Sequence, residues 1–140
     1  DDNKIVFEYT LLNLLIEREE YELTIEIIKK RNDINLNYMN VQKENIITWL
    51  FRILEKHTKQ NISTDIIQKT TDKCTEIVLL LLEKNYDYTL IDQYNKSLEN
   101  YANEYNIKSI IIKIQQIKKN KKEILNLVFI QVITDSITKY

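Results

Sequence analysis

The sequence predicts an all-α fold in which short helices pack in pairs to form a solenoid. Apolar residues recur at i, i+3 and i+4 along most of the 140 residues. The connectors between these stretches are short and rich in Asn and Asp. Each helix would run for only about ten residues, which is marginal in isolation, so neighbours must hold it and share a continuous core.

Taken in order, Leu11, Leu12, Leu14, Leu15 and Ile16 form a first apolar stripe that stops at the polar Glu17–Glu20. Leu23, Ile25, Ile27 and Ile28 follow, and Ile46, Ile47, Trp49, Leu50, Ile53 and Leu54 make a third stripe. The solid run Ile77–Leu82 reads as helix because Thr71-Asp72 offers an N-cap and Glu83-Lys84-Asn85 a polar, Asn-ended stop. Ile107, Ile110, Ile111, Ile114 and Ile117 continue the pattern, and Ile124, Leu125, Val128, Phe129, Val132 and Ile133 close it. About seven helices are expected. The polar stretch His57–Thr71, with Ser63-Thr64-Asp65 as a cap, reads as an insertion, either a long loop or a short extra helix.

The chain also repeats itself. Asn40-Val41-Gln42-Lys43-Glu44-Asn45-Ile46-Ile47-Thr48-Trp49-Leu50 aligns with Asp92-Gln93-Tyr94-Asn95-Lys96-Ser97-Leu98-Glu99-Asn100-Tyr101-Ala102. Each copy has an Asx residue, a polar tip, a small polar helix starter and an apolar turn with an aromatic. Thr10-Leu11-Leu12-Asn13-Leu14-Leu15 opens a third copy.

Composition narrows the function. Zero Gly and zero Pro remove Gly-dependent phosphate loops, the dinucleotide fingerprint and the Gly-framed nucleophile elbow. A net charge of -1 argues against a general polyanion binder. One Cys and one His make no four-ligand zinc site, and one Cys forms no internal disulfide. The longest apolar run is too short to span a bilayer, so no membrane association is expected. Ile (24), Lys (17) and Asn (15) dominate while Ala occurs once, a bias that matches AT-rich codons such as those of a large DNA virus or a microsporidian. The chain opens on Asp1, not Met, so a piece of a longer protein is expected, in the cytoplasm or nucleus (of a host cell if viral). Charge is uneven: positions 1–30 hold eight acids and four bases, positions 105–140 seven Lys and two acids.

The stretch from Thr75-Glu76-Ile77-Val78-Leu79-Leu80-Leu81-Leu82 through Asn85-Tyr86-Asp87 and Asp92 to Ile114 resembles an ankyrin repeat. The family pattern reads E-I-V-x-L-L-L, a G-A-D turn, then D-x-x-G-x-T-P-L-H-x-A. Glu76-Ile77-Val78 and the Leu run match, as do Asp87, Asp92 and Ala102, while Asn85, Asn95 and Asn106 stand where the family uses Gly. Asn tolerates the left-handed backbone better than other non-Gly residues. The T-P-L-H tetrad is nowhere intact: Thr10-Leu11-Leu12-Asn13, Asn45-Ile46-Ile47-Thr48 and Ser97-Leu98-Glu99-Asn100 replace it. The resemblance covers about 8–117. It implies a single domain over 1–140, with three degenerate repeats at about 8–40, 41–91 (insertion 57–71) and 92–119, and a C-terminal capping helix at 120–140.

No residue set reads as catalytic. His57 sits alone in a polar stretch and reads as a solvated surface residue, and Cys74 near a helix start lacks a spaced His. No enzyme activity, cofactor, metal or small-molecule substrate is expected. The ankyrin resemblance instead implies recognition of a partner protein by hairpin tips and first helices. By position, these are Val41, Gln42 and Glu44 in one repeat and Gln93, Tyr94 and Lys96 in the next. Trp49 and Tyr101 occupy the matching helix position, with Arg52 and Glu104 one turn on; the two aromatics either anchor a partner or pack between helices. Nucleic acid is the alternative partner, for a ribosome- or RNA-associated factor using Lys118, Lys119, Lys121 and Lys122, which otherwise form a solvated turn between the last two helices. A structural component of a larger assembly is a third reading.

Overall fold

The computed structural model describes residues 2–138. Asp1 and the last two positions of the expected cap, 139 and 140, lie outside the described residues. Among those residues the chain is all-helical: α1 (Asp2–Glu17), α2 (Tyr21–Lys30), α3 (Ile46–Lys59), α4 (Thr64–Glu83), α5 (Leu98–Glu104) and α6 (Lys108–Thr138).

The helices form three hairpins in chain order, α1 with α2, α3 with α4 and α5 with α6. The first helix of one hairpin packs on the first of the next at α1 and α3, and the second helices pack in the series α2, α4, α6. One core runs through them, with Ile16, Ile28, Leu50, Phe51, Leu54, Ile77, Leu81, Leu98, Ile110 and Ile114 fully buried. These positions recur at helical spacing, so each helix turns one apolar stripe inward.

Asn takes the place of Gly at the turns. Asn85, Asn95 and Asn106, expected to stand in for Gly, have φ of 65°, 60° and 54°. Behind Asn85, Tyr86 N donates to Leu81 O at 2.9 Å; behind Asn106, Ile107 N donates to Ala102 O at 2.9 Å, closing each helix in the same way. The turns between the helices of each hairpin likewise hold one left-handed residue: Glu19, Asn61 and Asn106.

The internal repeat holds at the level of single hydrogen bonds. In the first tip, Asn40 N donates to Glu44 O and Lys43 N to Asn40 O, each at 3.0 Å; in the second, Asp92 N donates to Lys96 O at 3.0 Å and Asn95 N to Asp92 O at 2.9 Å. The Asn40 Oδ1 accepts from Gln42 N and Glu44 N, and the Asp92 Oδ1 from Tyr94 N and Lys96 N. Each tip feeds a helix through a reciprocal capping box, Asn45 with Thr48 and Ser97 with Asn100. Gln93 N donates to Lys43 O at 2.9 Å and ties the tips together.

Three expectations are corrected. His57–Thr71 is neither a long loop nor an extra helix: it lengthens α3 to Lys59, turns at Asn61 and opens α4 at Thr64, where Ser63 Oγ accepts from Ile66 N. The break expected at Lys118–Lys122 does not occur, so the last two helices are one and the described residues hold six helices rather than about seven. Lys is a good helix former and nothing there ends a helix, which is why polarity misled. The segment expected to cap the stack does not do so: α6 runs straight on, and every residue from Lys118 to Thr138 is exposed.

Candidate functional site

A groove of about 650 Å³ opens between α3, α5 and the second tip. Its floor is aromatic. Phe51 lies stacked on Tyr101, with centroids 4.8 Å apart and planes 11° apart, and Tyr105 leans on Phe51 at 5.5 Å. Its walls are charged: Arg52, Glu55, Thr58 and Lys59 from α3 face Tyr94 and Lys96 of the tip and Glu104 of α5.

Asp92 fixes the tip to this floor. It is 4% exposed, and its Oδ2 accepts from Thr48 Oγ1 at 3.0 Å and from the Tyr101 hydroxyl. Its other oxygen holds the tip backbone at Tyr94 N, 2.9 Å away. Burial, then the bond to Asp92, pushes the Tyr101 hydroxyl well above the usual phenol range; burial raises Tyr105 to about 12. Both phenols therefore stay neutral donors at physiological pH.

Arg52 joins the two tips. Its Nη2 donates to Glu44 Oε2 at 2.6 Å and to the Tyr94 hydroxyl at 3.2 Å, and its guanidinium lies 4.4 Å from the Trp49 ring. Burial opposes the charge on Glu44, but the hydrogen bonds from Asn40 and Arg52 outweigh it and hold the carboxyl below its ordinary value. Across the groove, Lys96 Nζ pairs with Glu104 at 2.7 Å and lies 5.2 Å from the Tyr101 ring, and Lys59 pairs with Glu55 at 2.6 Å.

The expected partner-facing residues thus divide. Arg52, Tyr94, Lys96, Tyr101 and Glu104 line the groove. Val41, fully exposed, and the exposed Gln42 and Gln93 crown the tips, outside the groove. Glu44 and Tyr101 are buried at 6% exposure each, so they offer a partner little area and brace the wall and floor instead. Trp49 is half-buried, donating its Nε1–H to the Tyr9 hydroxyl at 2.7 Å. Trp49 and Tyr101 both pack back on the preceding hairpin, Trp49 on α1 and Tyr101 on α3, because an aromatic at that register faces the neighbouring helix rather than solvent.

Sequence reasoning passed over Phe51, Tyr105, Glu55, Thr58 and Lys59. Tyr105 follows Tyr101 by four residues, a same-face spacing that flags it. Glu55, Thr58 and Lys59 needed the knowledge that α3 continues past Leu54, whereas Phe51 lies inside the stripe already read and only its stacking on Tyr101 marks it as floor.

The four C-terminal lysines are not one patch. Lys118 pairs with Glu99 at 2.7 Å and Lys121 Nζ lies 5.1 Å from the Tyr88 ring, while Lys119 and Lys122 are exposed. His57 is not the solvated residue expected: it lies on the inward stripe of α3 with Leu50, Ile53 and Leu54, and its Nε2 is 2.5 Å from Glu19 Oε1. Cys74 lies within α4, fully buried, and burial, with Glu19 nearby, raises its thiol to about 12. That is the reverse of an activated nucleophile. Among the described residues no group of three His, Cys, Asp or Glu side chains converges to hold a metal, and no helix is long and apolar enough to cross a membrane. No family model, curated protein or solved structure matches the chain.

Proposed function

We propose that the chain is an ankyrin-like stack of degenerate repeats that binds a partner protein, without catalysis, through the groove between α3 and α5. The observation that carries this reading is the groove itself: an aromatic floor under a rim of both charge signs, held rigid by Asp92 and Arg52. Apolar floors with polar rims suit protein recognition, in which a few anchored side chains dominate affinity. The matched tips, 52 residues apart in sequence and bonded to each other, support the stacked-repeat reading. The mixed sign of the rim favours a polypeptide over a polyanion.

A photo-cross-linking residue placed at Tyr94 should capture the partner, whereas the same residue at Lys69, exposed on α4, should not. Equal capture at both positions would overturn the assignment of the face. Binding that falls steeply between low and moderate salt, and is lost when Lys119 and Lys122 are replaced, would instead favour a nucleic-acid partner.

A further inference from the structure

The distal half of α6 carries nine apolar side chains, from Ile124 to Ile137, each between 42% and 70% exposed. Their combined surface is on the order of 1,000 Å², above the ~300–600 Å² of the largest patch on an ordinary monomer. They lie on more than one side of the helix, and one line of them continues the stripe by which α6 packs on the body.

We infer that this segment pairs antiparallel with the same segment of a second copy, making the protein a two-fold dimer. Two features select a second copy as the occupant. The first is continuity of a packing seam. Ile110 and Ile114 are fully buried against the body, Ile117 is partly buried beside them, and Lys121 lies over Tyr88. Steps of three and four residues then carry the same stripe past the body through Ile124 and Leu125, Val128, Val132 and Asp135. The face that α6 uses for packing therefore continues where its own chain has nothing left to pack on it.

The second feature is self-complementarity. Counting outward from Val128, Ile124 matches Val132 and Lys121 matches Asp135, seven residues away on either side. A two-fold axis at Val128 sets Val128 on its own copy, Ile124 on Val132, and Lys121 of each chain beside Asp135 of the other. An isologous interface requires this reciprocity. Lys121 to Asp135 spans ~21 Å of helix. The stripe that faces the partner, Ile124, Leu125, Val128 and Val132, holds only part of this exposed apolar surface, so the pair falls below the ~800 Å² per partner of an ordinary stable interface and is expected to associate in the micromolar range. A parallel pair would set Lys121 on Lys121 and Asp135 on Asp135.

Sedimentation equilibrium of the full chain tests this between about 1 and 100 µM, a range that reads micromolar association. The native chain should sediment at twice its monomer mass. Val128→Glu sets two carboxylates together on the axis and should raise the dissociation constant at least tenfold. Asp135→Lys should weaken the dimer, and Lys121→Glu combined with Asp135→Lys should restore it. Val128 and Asp135 lie outside the packed body, so circular dichroism should report folded protein for their single variants, and for the double variant it checks that losing the Lys121 contact to Tyr88 leaves the fold intact. A native chain that stays monomeric over the range overturns the inference, as does a dimer indifferent to Val128→Glu. So does a monomer that binds phosphatidylcholine–phosphatidylserine vesicles through this segment, since the occupant would then be lipid.

Discussion

Asp92→Ala is the sharpest single test of how the groove is built. The carboxylate is 4% exposed and receives the Thr48 hydroxyl at 3.0 Å, the Tyr101 hydroxyl, and the tip amides of Tyr94 and Lys96 at 2.9 and 3.3 Å. Removing it strands the Tyr101 hydroxyl, leaves the Thr48 hydroxyl only Asn45 Oδ1 at 3.3 Å, and loosens two amides at once. Each buried donor left without an acceptor costs about 1–3 kcal/mol, but the tip amides are near solvent and recover part of their loss. The net expectation is about 3–5 kcal/mol, a large share of a domain's typical 5–15 kcal/mol. Asp92→Asn keeps an acceptor for the tip and should cost about 1–2 kcal/mol. Urea denaturation followed by circular dichroism measures both, with m-values checked for constancy. Asn40 plays the same part in the first tip but is less buried, so Asn40→Ala should cost less than Asp92→Ala. A loss below about 1 kcal/mol for Asp92→Ala would show that the two tips are not held by their Asx side chains.

Glu44 should make stability pH-dependent. Its folded-state value lies below the ordinary 4.5, so its contribution is complete above pH 4.5 and is lost as pH falls through that lower value. Melting temperatures of the native chain and Glu44→Gln should therefore differ at neutral pH and converge in acid. Cys74, with its thiol raised to about 12, should resist alkylation in the folded chain at pH 8. Only about one thiol in 10⁴ is ionised there, so labelling should appear with the denaturant transition. Asn106→Gly should leave thermal stability equal or slightly raised, whereas Asn106→Ala should lower it by about 1 kcal/mol, because φ is 54°.

What could be read from the sequence followed the range of each signal. Caps and left-handed turns depend on a few neighbouring residues, so Asn45, Ser97, Asn85, Asn95 and Asn106 marked their own positions. The repeat of the two tips was visible for the same reason. Burial of a residue on a known helix depends on where that helix ends, and there polarity was a poor guide. His57 looked solvated among Lys56, Thr58 and Lys59, yet continuing α3 by one turn brings it to Glu19. Lys118–Lys122 looked like a turn because it is charged, although charge and helicity are compatible when nothing covers the helix. Tyr101 was placed by its match to the first-helix position, either as a partner anchor or as packing between helices, and its stacking on Phe51 shows that it packs as floor.

The inserted length also explains the groove's depth. The two tips lie 52 residues apart, which on the proposed repeat reading is 19 beyond the 33-residue ankyrin period. That surplus went into helix, leaving α3 with 14 residues against seven in α5. Because α3 outruns α5, its last turns stand beside the end of the shorter helix instead of being covered by it. Glu55, Thr58 and Lys59 are the residues that line the groove from those turns, with Tyr105 opposite at the end of α5. Two equal first helices would have packed along their whole length and left a shallower furrow. The added length thus acts not as a loop laid on the surface but as the far wall of the groove, built by prolonging α3.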